Sequence, residues 1–249
     1  MTYEAPKVVA HDVHEYSTPQ PAHPVLPRLP MRAIALGPSG SGKTVFIQSL
    51  IVDLMRTRGG GSCFLHIYVW SPSINLDPVW TTVKDFAKKV LKQEDCFYEE
   101  FNPADLQAVI EKQQKLITQL KQRGSKTLPN ILIVVDDFAD DVAVARRETL
   151  LHQLFMRGRH SKISTLISTQ KYRALAPQIR TQALSFFVFK LRSQQELDAL
   201  LDEVSALGGR VLVNGFYREA TKKQYSFLYI RLDQSEPQFL ERFDYVLEP

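Results

Sequence analysis

Apolar positions along the chain fall into short compact runs that alternate with longer periodic stretches. "MRAIAL" at 31–36 is a short apolar run ending at Gly37, and "VFIQSLIVDLM" at 45–55 is apolar nearly all round. That order predicts a strand, a glycine loop and a buried helix. After the break "RTRGGGS", the aromatic and β-branched run "CFLHIYVW" reads as a second strand. Between Asn102 and Gly124 the period becomes helical: Leu106, Val109, Ile110, Ile117 and Leu120 share a face, Asn102 can cap, Pro103 suits the first helical position, and Lys121 and Arg123 precede the terminating glycine. "NILIVVDD" is then a buried strand, "RRETLLHQLFMRGR" an amphipathic helix, and "ISTLIST" and "LSFFVFKL" are two more strands. "SQQELDALLDEVSALGG" opens with a capping box from Ser193 to Glu196 and stops at glycine, and "YSFLYIRL" is the last clear strand. In Val211 to Thr221 the pair Asn214-Gly215 is compatible with either a hairpin turn or a helix end.

Strands separated by helices imply an α/β fold with a mostly parallel central sheet and helices on both faces. The pattern breaks down only before Met31. Residues 1–30 hold six of the fourteen prolines and show no apolar periodicity, so they are expected to form an extended, proline-rich N-terminal arm ahead of one domain over 31–249. A chain of 249 residues that is 44% hydrophobic and 23% charged can bury one substantial core. Cys63 and Cys96 stand far apart, without disulfide-framework or metal-ligand spacing, and read as packing residues in a reducing compartment. No apolar run reaches the roughly 18 residues of a membrane span, and the N-terminus lacks the pattern of a signal peptide. The expected setting is the cytosol, the nucleus or a particle assembled there.

The net charge of +4 says little, but its distribution says more. From Arg146 to Arg192 there are ten Lys/Arg against one acid, Glu148, which leaves the rest of the chain with 21 bases and 26 acids. A basic surface meeting phosphate, on a nucleotide or on nucleic acid, is one reading, and a solvated basic face is the other.

The strongest chemical signal is Gly37-Pro38-Ser39-Gly40-Ser41-Gly42-Lys43-Thr44, which satisfies G-x-x-x-x-G-K-[ST] between a strand and a helix. Glycines let successive N–H groups point at phosphate oxygens, Lys43 reaches the β and γ phosphates, and Thr44 offers a hydroxyl to Mg²⁺. A second carboxylate is then needed at the end of a neighbouring strand, and "ILIVVDD" supplies it. Asp136 is the expected metal-side acid, with Asp137 placed to orient or deprotonate the attacking water; the alternative makes Asp137, like Asp140 and Asp141, a solvated loop acid. Gln170, after "ISTLIST", could sense the γ-phosphate or be an ordinary loop glutamine.

Taken in order, the glycine loop, "WSPSINLD" after a strand, "VVDD", "STQKYR" with "PQIR", and "LRSQQELDALL" resemble the DNA-packaging ATPases of poxviruses, giant viruses and their virophages. These belong to the FtsK/HerA superfamily of RecA-like P-loop motors. The resemblance covers residues 31 to 232 and implies nucleotide binding at Gly37 through Thr44, metal binding at Asp136 and nucleotide sensing at Gln170. The superfamily commonly uses glutamate as base, and Asp137 is one methylene shorter. ATP and Mg²⁺ are the implied cofactors. A homo-oligomeric ring, double-stranded DNA and a capsid or portal-vertex protein are the implied partners, and the implied location is the host-cell cytoplasm or nucleus where virus assembles, or the virion. In a ring, an arginine from one subunit can complete its neighbour's site. Arg157 and Arg159 are the first candidates, Arg173 and Arg180 the reserves, and contact with DNA phosphate is the competing role for all of them. The alternative functions are a P-loop nucleotide or small-molecule kinase and an ATP-gated assembly adaptor; a GTPase is disfavoured because N-K-x-D is absent.

Overall fold

The computed structural model describes Val9, residues 16–137 and residues 148–248. Asp140, Asp141, Arg146 and Arg147 lie outside the described residues. One nine-stranded sheet runs through the described chain in the order β3-β2-β4-β5-β1-β6-β7-β8-β9. Its strands are β1 (Arg32–Leu36), β2 (Phe64–Trp70), β3 (Phe97–Tyr98), β4 (Asn130–Asp136), β5 (Ile163–Thr169), β6 (Ser185–Phe189), β7 (Phe227–Arg231), β8 (Gln238–Glu241) and β9 (Tyr245–Val246). From β3 to β6 all neighbours are parallel, whereas β7, β8 and β9 continue antiparallel. Every residue of β4, β5, β6 and β7 is buried, as expected for strands covered on both faces. The α/β architecture with a mostly parallel sheet therefore matches the expectation from the apolar pattern.

Helices lie between the strands. They are α1 (Lys43–Ser49), which runs on as a π-helical segment to Leu54; α2 (Val79–Phe86), likewise continued to Leu91; α3 (Pro103–Gln122); α4 (Glu148–Arg157); α5 (Pro177–Gln182); α6 (Gln194–Val204); and α7 (Arg210–Ala220). Of these, α1 to α5 lie among the parallel strands and α6 and α7 between the antiparallel β6 and β7. Asn102 caps α3 by accepting from Ala104 N at 3.0 Å, and Gly124 leaves the helix at φ 76°. The expected capping box on α6 is only half made. Ser193 Oγ accepts from Glu196 N at 3.4 Å, while the Glu196 carboxylate turns to Arg173 N at 3.0 Å. Asn214-Gly215 lies inside α7, so neither the turn nor the helix end forms. Strands β8 and β9, beyond the last clear strand of the sequence pattern, are only four and two residues long.

At the far edge, β3 pairs with only two residues of β2. The Gln93 side chain replaces a strand there, accepting from Ile67 N at 2.9 Å and donating to Ile67 O at 2.8 Å. The proline-rich stretch lies against the sheet's lower end: Ser17 bridges Thr127, Ala22 N donates to Arg56 O, and Leu26 and Leu29 are buried in the core. Cys63 and Cys96 are both free and buried. Among the described residues no helix is long and apolar enough to cross a membrane.

Candidate functional site

In a parallel sheet the carboxyl ends of the strands share one edge, and residues just past them converge there. Because β5 lies between β1 and β4, the glycine loop after β1 and the acids ending β4 flank the residue after β5. Two backbone bonds strap them to that strand: Gly37 N donates to Thr169 O at 3.1 Å and Asp137 N donates to Ser168 O at 3.0 Å. Gln170 follows directly.

The loop itself needs its glycines. A Cβ on Gly37 would meet Ser41 Oγ at 2.6 Å and Phe189 Cβ at 2.8 Å, and Gly42 has φ +100° at the entrance to α1. Gly42 brings no side chain to cap the helix, so the first N–H groups keep no side-chain partner and remain available to an anion. The helix is anchored by Phe46, whose ring lies 4.5 Å from Phe187 and 5.0 Å from Phe227. Lys43 is buried and folded onto its own loop: Nζ donates to Gly37 O at 2.7 Å and Pro38 O at 3.3 Å, with Asp137 Oδ1 at 3.9 Å. Burial pulls its pKa below the usual lysine value, against the attraction of Asp137 and Asp136. Thr44 is half-buried in the first turn.

Asp136 is 2% exposed at the end of β4. Burial is the main cause that pushes its pKa up to about 6, and Asp137 adds to it, while the hydroxyls of Ser168 and Ser71 and the charge of Lys43 favour the carboxylate. Ser71 Oγ donates to Oδ2 at 3.0 Å, but Oδ1 is buried without a hydrogen-bond partner. An orphaned buried carboxylate oxygen is costly unless a cation or water completes it, so this donor set fits a hard cation's water shell. Ser71 escaped the sequence reading; its position directly after β2, at the carboxyl edge of the sheet, was the available signal.

Asp137 is about one-third exposed and holds a left-handed φ of 55°. Its carboxylate accepts from Gln170 Nε2 at 3.4 Å, and Gln170 Oε1 accepts from Ser39 N at 3.3 Å. A continuous polar chain thus joins the glycine loop, Gln170, Asp137 and Lys43.

The arginines part company with the rest. Arg157 ends α4 and Arg159 follows it in the turn before β5, so both are at the amino end of that seven-residue strand, about 20 Å from the glycine loop of the same chain. They cannot reach their own site. Arg173 and Arg180 are engaged within the chain: the Arg173 guanidinium donates to Gln195 at 3.3 Å, while Arg180 is 3.2 Å from Glu203 and lies over the Tyr172 ring. On the outer side of the loop, a cavity of about 420 Å³ is lined by Ser39, Lys190, Arg192, Lys223, Gln224 and Tyr225. Sequence reasoning missed this wall, because it joins the end of β6 to the turn before β7.

Curated relatives include the DNA packaging protein OPG160 of Variola virus, 28% identical over 186 residues, which are 74% of this chain and 61% of the relative. The same-named protein of Vaccinia virus (strain Copenhagen) is 27% identical with equal coverage. The matched region thus spans about three-fifths of these relatives' length. Among solved structures, the genome packaging NTPase B204 from Sulfolobus turreted icosahedral virus 2 in complex with AMPPCP shares the fold with a TM-score of 0.58 at 16% identity, over 88% of this chain and 100% of that one. EssC (ATPases 2 and 3) from Geobacillus thermodenitrificans aligns with a TM-score of 0.52 at 12% identity, over 80% and 42%. The profile of the poxvirus A32 protein family matches residues 22–231, a span that takes in the glycine loop, Ser71, the paired acids and Gln170, and the chain belongs to that family.

Proposed function

We propose that this chain is the ATPase of a viral genome-packaging motor, which hydrolyses ATP and uses the closure of its site to move double-stranded DNA into a capsid. The observation that carries the reading is the polar chain from Ser39 through Gln170 to Asp137 and Lys43, beside the buried Asp136. The names of the A32-family relatives supply the DNA-packaging context.

ATP enters with its phosphates on the N–H groups of Gly40 to Thr44, and its base and ribose in the cavity walled by Lys190 and Tyr225. Lys43 exchanges its carbonyl partners for phosphate oxygens, and its charge, freed from the loop, follows the transferring group. Thr44 and Asp136, with Ser71 and Ser168 behind it, would hold Mg²⁺, which supplies neutralisation of the β and γ phosphate charge. Asp137 orients the attacking water and accepts its proton. Gln170 reports the state of the γ-phosphate to the strand ends, because it hydrogen-bonds both the loop and the base. A kinase reading finds less support, since the acids at the end of β4 suit water activation better than an acceptor pocket. The motor is expected to act as a homo-oligomer at the site of virus assembly, with a capsid protein as its anchor.

ATP turnover measured with and without duplex DNA tests the proposal. Hydrolysis should rise when DNA is added, and Lys43→Ala should abolish turnover while keeping the thermal midpoint within a few degrees. Hydrolysis indifferent to DNA, together with no DNA binding at low salt, would remove the translocase reading.

A further inference from the structure

The stretch "WSPSINLD" at 70–77 is part of the family resemblance, yet the chemistry above uses only its first serine, Ser71. It leaves β2 as a tight turn. Ile74 N donates to Ser71 O at 3.1 Å, and Leu76 N and Asp77 N both donate to Ser73 O, at 3.0 and 2.9 Å. Asp77 Oδ1 then accepts from Val79 N at 3.0 Å, where α2 begins. On the outer side the Asn75 amide bridges Glu99 and Lys84, at 2.9 and 2.8 Å, and Ile74 beneath it is buried. These bonds close the turn without either serine hydroxyl, so the hydroxyl protons are not spent on its shape.

The protons go elsewhere. Ser71 Oγ lies 3.0 Å from Asp136 Oδ2 and 3.1 Å from Ser73 Oγ, and Trp80 Nε1 lies 3.4 Å from Ser73 Oγ. Chemistry allows this line only one direction, because an ionised carboxylate only accepts, an indole N–H only donates, and each hydroxyl has one proton. Ser71 therefore gives its proton to Asp136 and accepts from Ser73, which in turn accepts from Trp80. Ser73 N, 3.4 Å from Ser71 Oγ, meets the second lone pair of that hydroxyl. With its donor and both lone pairs engaged, Ser71 is held on Oδ2 and away from Oδ1, which is buried with no hydrogen-bond partner among the described residues. Trp80 is wholly buried on α2, and α2 packs against α1, the helix that begins at Lys43. The line thus ties the acid to the helix pair that carries the glycine loop.

We infer that Ser73 and Trp80 are positioning residues for the metal-side acid: the indole N–H starts a one-way relay through Ser73 and Ser71 that anchors Asp136 Oδ2 and leaves Oδ1 for the Mg²⁺ of a bound nucleotide. Each bond in such a line polarises the next, so cutting it at the indole weakens the last bond as well. Neither residue touches nucleotide or metal; both act through Ser71. The role rests on the ATPase reading above, and the experiment tells a failure of one from a failure of the other.

Binding of AMPPCP, an ATP analogue that is not hydrolysed, is measured by titration calorimetry with Mg²⁺ and with EDTA at a pH where Asp136 is ionised. The full chain is compared with Ser73→Ala, Ser73→Thr, Trp80→Phe and the double variant Ser73→Ala with Trp80→Phe, with thermal midpoints for all. The factor by which Mg²⁺ tightens binding should fall about tenfold in Ser73→Ala and by a smaller factor in Trp80→Phe, while affinity in EDTA stays at the parent value. Ser73→Thr keeps the hydroxyl and should keep the parent factor. The double variant should lose no more than Ser73→Ala alone, because both changes cut one line; losses that multiply mark two separate packing effects and overturn the relay. Should Trp80→Phe fail to fold, the contrast between Ser73→Ala and Ser73→Thr decides alone. Variants that keep the full Mg²⁺ factor overturn the relay and leave the ATPase standing. A parent whose AMPPCP binding is indifferent to Mg²⁺ overturns the metal-side role of Asp136 and the relay with it, and a parent that binds no AMPPCP overturns the ATPase reading as well.

Discussion

Asp136, the acid proposed for the metal side, is almost wholly buried. Its pKa rises from 3.8 to about 6 on folding, so the folded chain holds this proton more tightly than the unfolded chain. The associated stability is fully present below the unfolded pKa and is lost as pH rises through about 6. Two pKa units correspond to about 3 kcal/mol. Asp136→Asn should accordingly be more stable than its parent by about 3 kcal/mol at pH 7 without metal or nucleotide, the gap closing near pH 4, while losing ATP hydrolysis. Urea unfolding at a series of pH values measures this, and a parent as stable relative to the variant at pH 7 as at pH 4 contradicts it. Ser71→Ala should act oppositely, costing about 1 to 3 kcal/mol at pH 8, where the carboxylate loses its hydroxyl donor. The carboxylate could be found from "ILIVVDD" alone, because two acids closing an apolar run have few structural uses. Its serine partner could not, since only the pairing of β2 with β4 brings them together.

At the level of elements, the loop is held by what lies beneath it. Phe46 on α1 packs among Phe187, Phe189, Phe227 and Phe243, tying the helix to the β6–β7 pair. Phe46→Ala is expected to cost about 3 to 5 kcal/mol and also to weaken ATP binding. Phe239→Ala, which empties a contact with Phe216 on the far side of α7, should cost similar stability and leave ATP affinity unchanged. Calorimetric nucleotide titration beside thermal melting distinguishes the two, and equal affinities would show that the aromatic cluster merely stabilises the fold. Central strands and α3 were legible because burial on both faces writes a continuous apolar run and a buried helix face writes a 3.6-residue period. Strands β8 and β9 and the helix over Asn214-Gly215 were not. Edge strands are half solvated and short, and tertiary packing of Val213, Phe216 and Tyr217 overrides a local turn signal.

For the whole molecule, the proline-rich stretch and the sheet's two ends are the parts that depend most on distant residues. Leu26 and Leu29 join the core, so Leu26→Ala with Leu29→Ala should lower the unfolding free energy by several kcal/mol, about what the loss of two buried leucines costs. Denaturant unfolding of the double variant beside its parent decides it, and equal midpoints would show that the two side chains do not hold this stretch to the core. The sequence by itself determined the α/β class, the glycine loop between β1 and α1, the paired acids that close β4 and the family resemblance, because each is written in local period or in spacing within one strand–loop–helix unit. Which cations share an end of the sheet was decided only in three dimensions. Strand order interleaves β5 between β4 and β1 and sends every parallel strand's amino end to one side, so the bases counted along 146–192 divide by strand end and not by position in the chain. Charge acts across space over about a Debye length, and neighbours in space are a property of the sheet's topology, which no local stretch of residues contains.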